Sequence, residues 1–161
     1  MASTSESATA CAMASLARRE HSGAELRRKL ERRGFSADTI EDTIQELESG
    51  GWLSEQRLVD AVIRKCLRHG RGPLRLRVEL HERGVDPAIF EPALEALDVD
   101  WDALAAAQLR KRFGDAPAED RRELARRGRF LQGLGFPPAA IWRCLDRAGR
   151  DQDIDTEWDE A

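Results

Sequence analysis

The chain has 161 residues, enough for one ordinary domain or a few small repeats. It is 41% hydrophobic and 35% charged, with no Tyr and with Ala, Leu, Arg and Glu dominant, a helix-former's composition that excludes a β-sandwich or a wide parallel sheet. The net charge of -4 excludes a uniformly basic nucleic-acid binder and hides a sorted distribution of signs along the chain.

Residues 1–13 are expected to be a flexible N-terminus, overlapping a short helix over roughly residues 8–19. The uncharged stretch from Ser7 to Ala17 is too short to span a bilayer, and no basic region precedes it, so no secretory signal is expected. Ser22 and Glu25 have capping-box spacing for a helix that carries Leu26 and Leu30 on one face. Gly34 ends it, Phe35 is placed to fold back on it, and Ser36 starts a helix bearing Ile40 and Ile44. This first unit spans 14–50.

The second unit, 51–98, opens at Trp52 and continues into a helix over 54–69 with an apolar stripe of Leu58, Ala61, Val62 and Ile63. Gly70-Arg71-Gly72-Pro73 reads as a helix–helix connection, with Pro73 starting the next helix. That helix bears Leu76 and Leu80 and stops at Gly84. Val85 follows, then Asp86-Pro87 starts a helix with Phe90 and Leu94 on one face. The third unit, 99–149, has Trp101 ahead of a helix over 101–113 with Leu104 and Leu109 inward. It repeats the helix–glycine–helix pattern at Leu131, Gly135, Phe136, Pro137-Pro138, Ile141 and Leu145. Residues 150–161 read as an acidic disordered tail. Three tandem three-helix units follow, all-α, each too small to bury a core alone and expected to form an elongated body.

Signs alternate along this repeat. Residues 18–33, 57–83 and 110–129 are basic, whereas 36–56 and 86–102 carry six acids each and no Lys or Arg. Of 26 positive residues, 23 are Arg, whose planar fork suits carboxylate and phosphate. The plain alternative is that these charges only form intramolecular pairs, for example with Asp60, Glu79 and Glu82.

Reaction chemistry is sparse. Cys66, His69 and His81 lack a fourth ligand for structural zinc, and neither a phosphate-loop pattern nor a nucleophile elbow is present. Cys11, Cys66 and Cys144 contain no CxxC pair, which fits a reducing cytoplasm. Trp52, Trp101 and Trp142 are expected to pack between helices, and Trp158 reads as a tail residue. No catalytic residue, metal or cofactor is expected.

Two runs resemble a known family. RREHSGAELRRKLERRGF (18–35) and GWLSEQRLVDAVIRKCLRHGRGPLRLRVELHERGV (51–85) are similar to the opening and central signatures of the RecX regulators of the RecA recombinase. Arg57, Ala61, Arg64, Gly70, Gly72, Pro73, Glu79, Leu80 and Gly84 fit the central signature as they stand. Residues 101–145 resemble the family more loosely, through LRKRFG and RFLQGLGF. The chain departs from the pattern at Leu58 and Val62, where aromatics are usual, at Cys66, and at Gly133-Leu134, where a basic pair is usual. The resemblance implies a small, all-helical, non-enzymatic protein. It would bind RecA and lie in the groove of the RecA–single-stranded DNA filament, lowering filament extension, ATPase, strand exchange and co-protease activity.

A monomer is expected, with the RecA filament as partner and single-stranded DNA as a second, direct one. Candidate contact residues are Arg27, Arg28, Arg32, Arg57, Arg64, Arg68, Arg71, Arg75 and Arg77, centred on the Arg64, Arg68, Arg71 and Arg75 group. The alternative is a helical nucleic-acid-binding module that uses these arginines directly on phosphate.

Overall fold

The computed structural model describes residues 7–154. Among them are nine helices and no strand: α1 (Ala8–Leu16), α2 (Gly23–Arg32), α3 (Ala37–Ser49), α4 (Glu55–Arg68), α5 (Pro73–Glu82), α6 (Pro87–Glu95), α7 (Trp101–Phe113), α8 (Arg121–Gly133) and α9 (Pro138–Ile154). They fall into three successive three-helix repeats, as the glycine spacing predicts.

The repeat is written in backbone hydrogen bonds. At the end of α2, the N–H of Phe35 donates to Leu30 O and that of Gly34 to Glu31 O. At the end of α5, Val85 donates to Leu80 O and Gly84 to His81 O; at the end of α8, Phe136 donates to Leu131 O and Gly135 to Gln132 O. This is a Schellman stop made three times, and it satisfies carbonyls that a helix end leaves bare. It requires a left-handed residue, and Gly34, Gly84 and Gly135 have φ of 85°, 76° and 87°. The apolar residue after each glycine then turns inward: Val85 and Phe136 are buried, and Phe35 packs partly buried on the core. Ser36 and Asp86 cap the helices that follow, and the Ser22–Glu25 capping box forms in full.

By packing, the chain divides into two compact units. One comprises the residues up to Arg64 together with Val78–Ala96, the other Lys65–Arg77 together with the residues from Leu97 onward. The middle repeat is thus shared out: α4 divides after Arg64 and α5 after Arg77. Contrary to the expectation that a three-helix unit is too small to bury a core alone, the first repeat (with Leu53) and the third each close a buried cluster of their own.

In the first unit the core is Ala8, Cys11, Ala12, Leu26, Leu30, Ile40, Ile44, Leu47 and Leu53. The N-terminus of α2 is pinned there by the turn after α5. Ser22 Oγ donates to Arg83 O, and the Arg83 guanidinium reaches Glu25 (3.2 Å) and Glu20 O (2.9 Å). In the second unit the core is Ala105, Leu109, Leu131, Phe136, Ile141, Cys144 and Leu145. Its 70–73 loop docks on the turn between α8 and α9, with Gly72 N–H donating to Leu134 O (2.8 Å) and Leu74 N–H to Gly135 O (3.0 Å). Gly72 is obligatory for that approach, because a Cβ on it would lie 2.4 Å from Gly135 O.

Several sequence expectations need correction. Helix α1 begins at Ala8, inside the stretch assigned to a flexible terminus, and Ala8, Cys11 and Ala12 are buried. It ends at Leu16, short of residue 19. At the other end α9 continues to Ile154, past the expected start of the tail; Trp158 lies outside the described residues. On α4, Val59 is buried beside Leu58, Val62 and Ile63, while Ala61 is only partly covered. Trp101 packs on the second core, but Trp52 and Trp142 are 60% and 71% exposed rather than packed between helices.

Candidate partner-binding surface

The nine candidate arginines separate into those the fold uses and those it leaves outward. Arg27 makes a two-pronged pair with Glu41 across α2 and α3, at 2.7 and 3.0 Å. That hydrogen bond raises the guanidinium pKa and holds the Glu41 carboxyl below its ordinary value. Arg57 pairs with Glu20 (3.0 Å) and donates to Gly51 O and Trp52 O, so it braces the start of α4. Arg71 and Arg77 are half-buried and already interact within the protein. Arg28 and Arg32 on α2, Arg64 on α4, Arg68 and Arg75 are exposed, and none has an ion pair among the described residues. The expected central group is divided by packing: Arg64 belongs to the first unit, and Arg68, Arg71 and Arg75 belong to the second.

The plain alternative, that every arginine serves an internal pair, therefore fits Arg27 and Arg57 but not these five. Two other arginines, one from a basic band and one outside the bands, are structural. Arg127 is buried, bonds Glu123 (2.9 Å) and Ala116 O (2.9 Å), and stacks 5.3 Å from the centroid of Phe113. Arg143 makes a two-pronged pair with Asp102, joining α7 to α9 at 2.7 and 3.0 Å. The spacing Glu123–Arg127, four apart, was the available signal for the first. Nothing local marks the second, because its partners are 41 residues apart.

The first unit also holds an open cleft of about 370 Å3, lined by Arg19, His21, Glu25, Arg28, Lys29 and Arg32. Its one carboxylate is already occupied: Glu25 accepts from Arg19 (3.1 Å), Arg83 (3.2 Å) and the backbone N–H of Ser22 (2.9 Å). Lys29 Nζ donates to Ser15 Oγ at 2.6 Å, which holds the ammonium at the edge of the cleft. His21 is buried, with Nδ1 2.9 Å from Arg19 O. A carbonyl can only accept, so Nδ1 carries the proton there and Nε2 is bare in the neutral ring. Burial is the main cause that lowers the His21 pKa, and nearby Arg19 and Lys29 lower it further, while the Arg19 carbonyl and Glu25 act in the opposite sense. Sequence reasoning found Arg28 and Arg32 of this set and missed Arg19, His21 and Lys29. The signal was present in the position of His21, directly before the capping Ser22, with Arg28 and Lys29 two turns further on.

Cys11, Cys66 and Cys144 are buried thiols not joined in a disulfide, and Cys144 Sγ donates to Asp102 O. Among the described residues no group of three His, Cys, Asp or Glu side chains is arranged to hold a metal ion. No helix among them is long and apolar enough to cross a membrane.

Residues 8–47, 54–94 and 98–145 match, in order, the descriptions "RecX, first three-helix domain", "RecX, second three-helix domain" and "RecX, third three-helix domain". The chain is 43% identical over 141 residues to the regulatory protein RecX of Pseudomonas syringae pv. tomato, covering 87% of this chain and 90% of that one. It is 40% identical over 140 residues to RecX of Pseudomonas savastanoi pv. phaseolicola, with the same two coverages. The crystal structure of RecX from Lactobacillus salivarius superposes with a TM-score of 0.72 at 20% identity, over 91% of this chain and 95% of that one.

Proposed function

The chain belongs to the RecX family of regulatory proteins, and from that membership we propose that it binds the RecA recombinase and its single-stranded DNA filament. It restrains filament extension, ATP turnover, strand exchange and co-protease activity, and so modulates DNA repair and recombination. It works as a cytoplasmic monomer, without a reaction centre or cofactor. The observation that carries this reading is the match of all three repeats, in order, to the three domains of one regulatory family.

The surface supports it. Arg28, Arg32, Arg64, Arg68 and Arg75 are outward and without ion pairs among the described residues, so their binding capacity is uncommitted. A filament presents a repeated protein surface beside a phosphate backbone, and several weak contacts along such a polymer add through effective concentration.

The test is ATP turnover by the matching recombinase on single-stranded DNA, titrated with this protein at two salt concentrations. Inhibition at substoichiometric protein is expected. Unchanged turnover at protein equimolar with recombinase would remove the reading. The second reading, a module acting on DNA directly, is favoured by the basic cleft in the first unit. It predicts tight binding to naked single strands at physiological salt, with inhibition following DNA occupancy.

A further inference from the structure

We infer that the cleft bounded by Arg19, His21, Arg28, Lys29 and Arg32 is a subsite for backbone phosphate of single-stranded nucleic acid, with His21 as a proton-coupled donor at its floor. The proposal deepens the filament reading by assigning a DNA contact to the first unit. It rests on that reading only for its biological setting, since the subsite can be occupied without recombinase.

Four cations line the cleft; Arg19 is paired with its single carboxylate, Glu25, which Arg83 and the Ser22 N–H also engage, so Arg28, Lys29 and Arg32 remain without an ion pair among the described residues. The space is therefore strongly cationic and has no internal anion to fill it. Two of these cations, Arg28 and Arg32, are guanidinium forks, the donor geometry that suits the paired non-bridging oxygens of a phosphodiester. Arg28 and Arg32 stand one helical turn apart on the exposed side of α2, so a strand entering the cleft meets a second fork at the next phosphate. A lone carboxylate from a protein partner would occupy one fork and leave the other without a counter-charge.

His21 supplies the independent observation. It is only 7% exposed, yet it belongs to the cleft wall, and its Nε2 has no hydrogen-bond partner among the described residues. The charged groups around the ring are Arg19 from the connection between α1 and α2, Glu25 and Lys29 from α2, and Arg83 from the turn after α5, held on Glu25. Burial, Arg19 and Lys29 favour the neutral ring, while the Arg19 carbonyl and Glu25 oppose them. An oxyanion at Nε2 reverses the balance, because the protonated ring then donates to it. Binding should take up a proton and strengthen as pH falls.

The probe is a short oligothymidylate, added to the full chain without recombinase, while the three histidine rings are followed by NMR against pH. The His21 resonance should titrate at a higher pH with the oligonucleotide bound. Arg28→Gln with Arg32→Gln, both exposed positions that keep the fold, should abolish that change. The same pair should reduce the slope of log affinity against log salt by about 1.4, roughly 0.7 for each lost phosphate contact.

An unmoved His21, or an unchanged salt slope in the double variant, overturns the proposal. So does a polyglutamate peptide that moves His21 as effectively as the oligonucleotide, or inorganic phosphate that moves it while the oligonucleotide does not. Failure of ATP-turnover inhibition in the recombinase assay removes the filament reading and leaves these measurements intact. Failure here leaves inhibition to the other surfaces.

Discussion

Arg127 shows how far one side chain's role can lie from its charge. In the sequence it is one of eight basic residues between 110 and 129, set apart from Arg126 only by its four-residue spacing from Glu123. In the structure Arg126 is exposed, while Arg127 is 5% exposed and fully engaged by Glu123, Ala116 O and the Phe113 face. Phe113 in turn meets Phe130 edge-to-face at 5.5 Å, so the guanidinium closes one end of the second core. Arg127→Ala removes charge-assisted hydrogen bonds and packing, at a cost of about 2 kcal/mol. For a chain of this length that is a fall of roughly 4–8 °C in Tm by thermal unfolding. The pH dependence has a definite sign. Hydrogen bonding from Arg127 holds the Glu123 carboxyl below its ordinary value. Its contribution is therefore complete above the ordinary glutamate range and is lost as pH falls through the lowered folded value. The Tm gap between the native protein and Arg127→Ala should narrow in acid. A gap independent of pH would show that packing on Phe113, not the ion pair, stabilises this site.

Helix ends were the most legible features of the sequence, because their chemistry is local. Gly34, Gly84 and Gly135, the apolar residue after each, and the Ser36, Asp86 and Ser22–Glu25 caps all act within six residues of one another. The same locality explains what was not legible. Gly72 looks like an ordinary loop glycine, yet its N–H bonds a carbonyl 62 positions away, and its missing Cβ lets the 70–73 loop lie against the turn before α9. The basic cleft was partly legible for the same reason: Arg28, Lys29 and Arg32 share a helix and His21 sits just before its cap, whereas Arg19 joins them through the fold. Two alanine substitutions separate these kinds of glycine. Gly34 has φ of 85° with nothing within 4 Å of an added Cβ, so Gly34→Ala meets only left-handed strain, about 1–2 kcal/mol. At Gly72 the added Cβ would sit 2.4 Å from Gly135 O, an atom fixed by the Schellman turn and its hydrogen bond to Leu74. Gly72→Ala should cost about 3 kcal/mol or more, with a larger fall in Tm. The reverse order would mean that the loop leaves the turn without penalty.

For the molecule as a whole, a net charge of -4 coexists with arginines that point away from any internal partner. Sign sorting along the chain cannot tell a cation that closes the fold from one that meets a partner; only pairing in the folded state does. That distinction makes a prediction about inhibition. Arg64, Arg68 and Arg75 are exposed and have no ion pair among the described residues, whereas Arg57 holds Glu20 and two backbone carbonyls. Reversing the first three to Glu should leave helix content and Tm close to those of the native protein. If each contributes about 0.5 kcal/mol at an exposed contact, the protein needed for half-inhibition of recombinase ATP turnover rises roughly tenfold. Arg57→Glu should do the opposite, lowering Tm first and inhibition only as folded protein is lost. Circular dichroism and the turnover assay on the same preparations read both quantities. Undiminished inhibition by the triple variant would place the filament contact on other residues, with the α2 cleft as the next to be reversed.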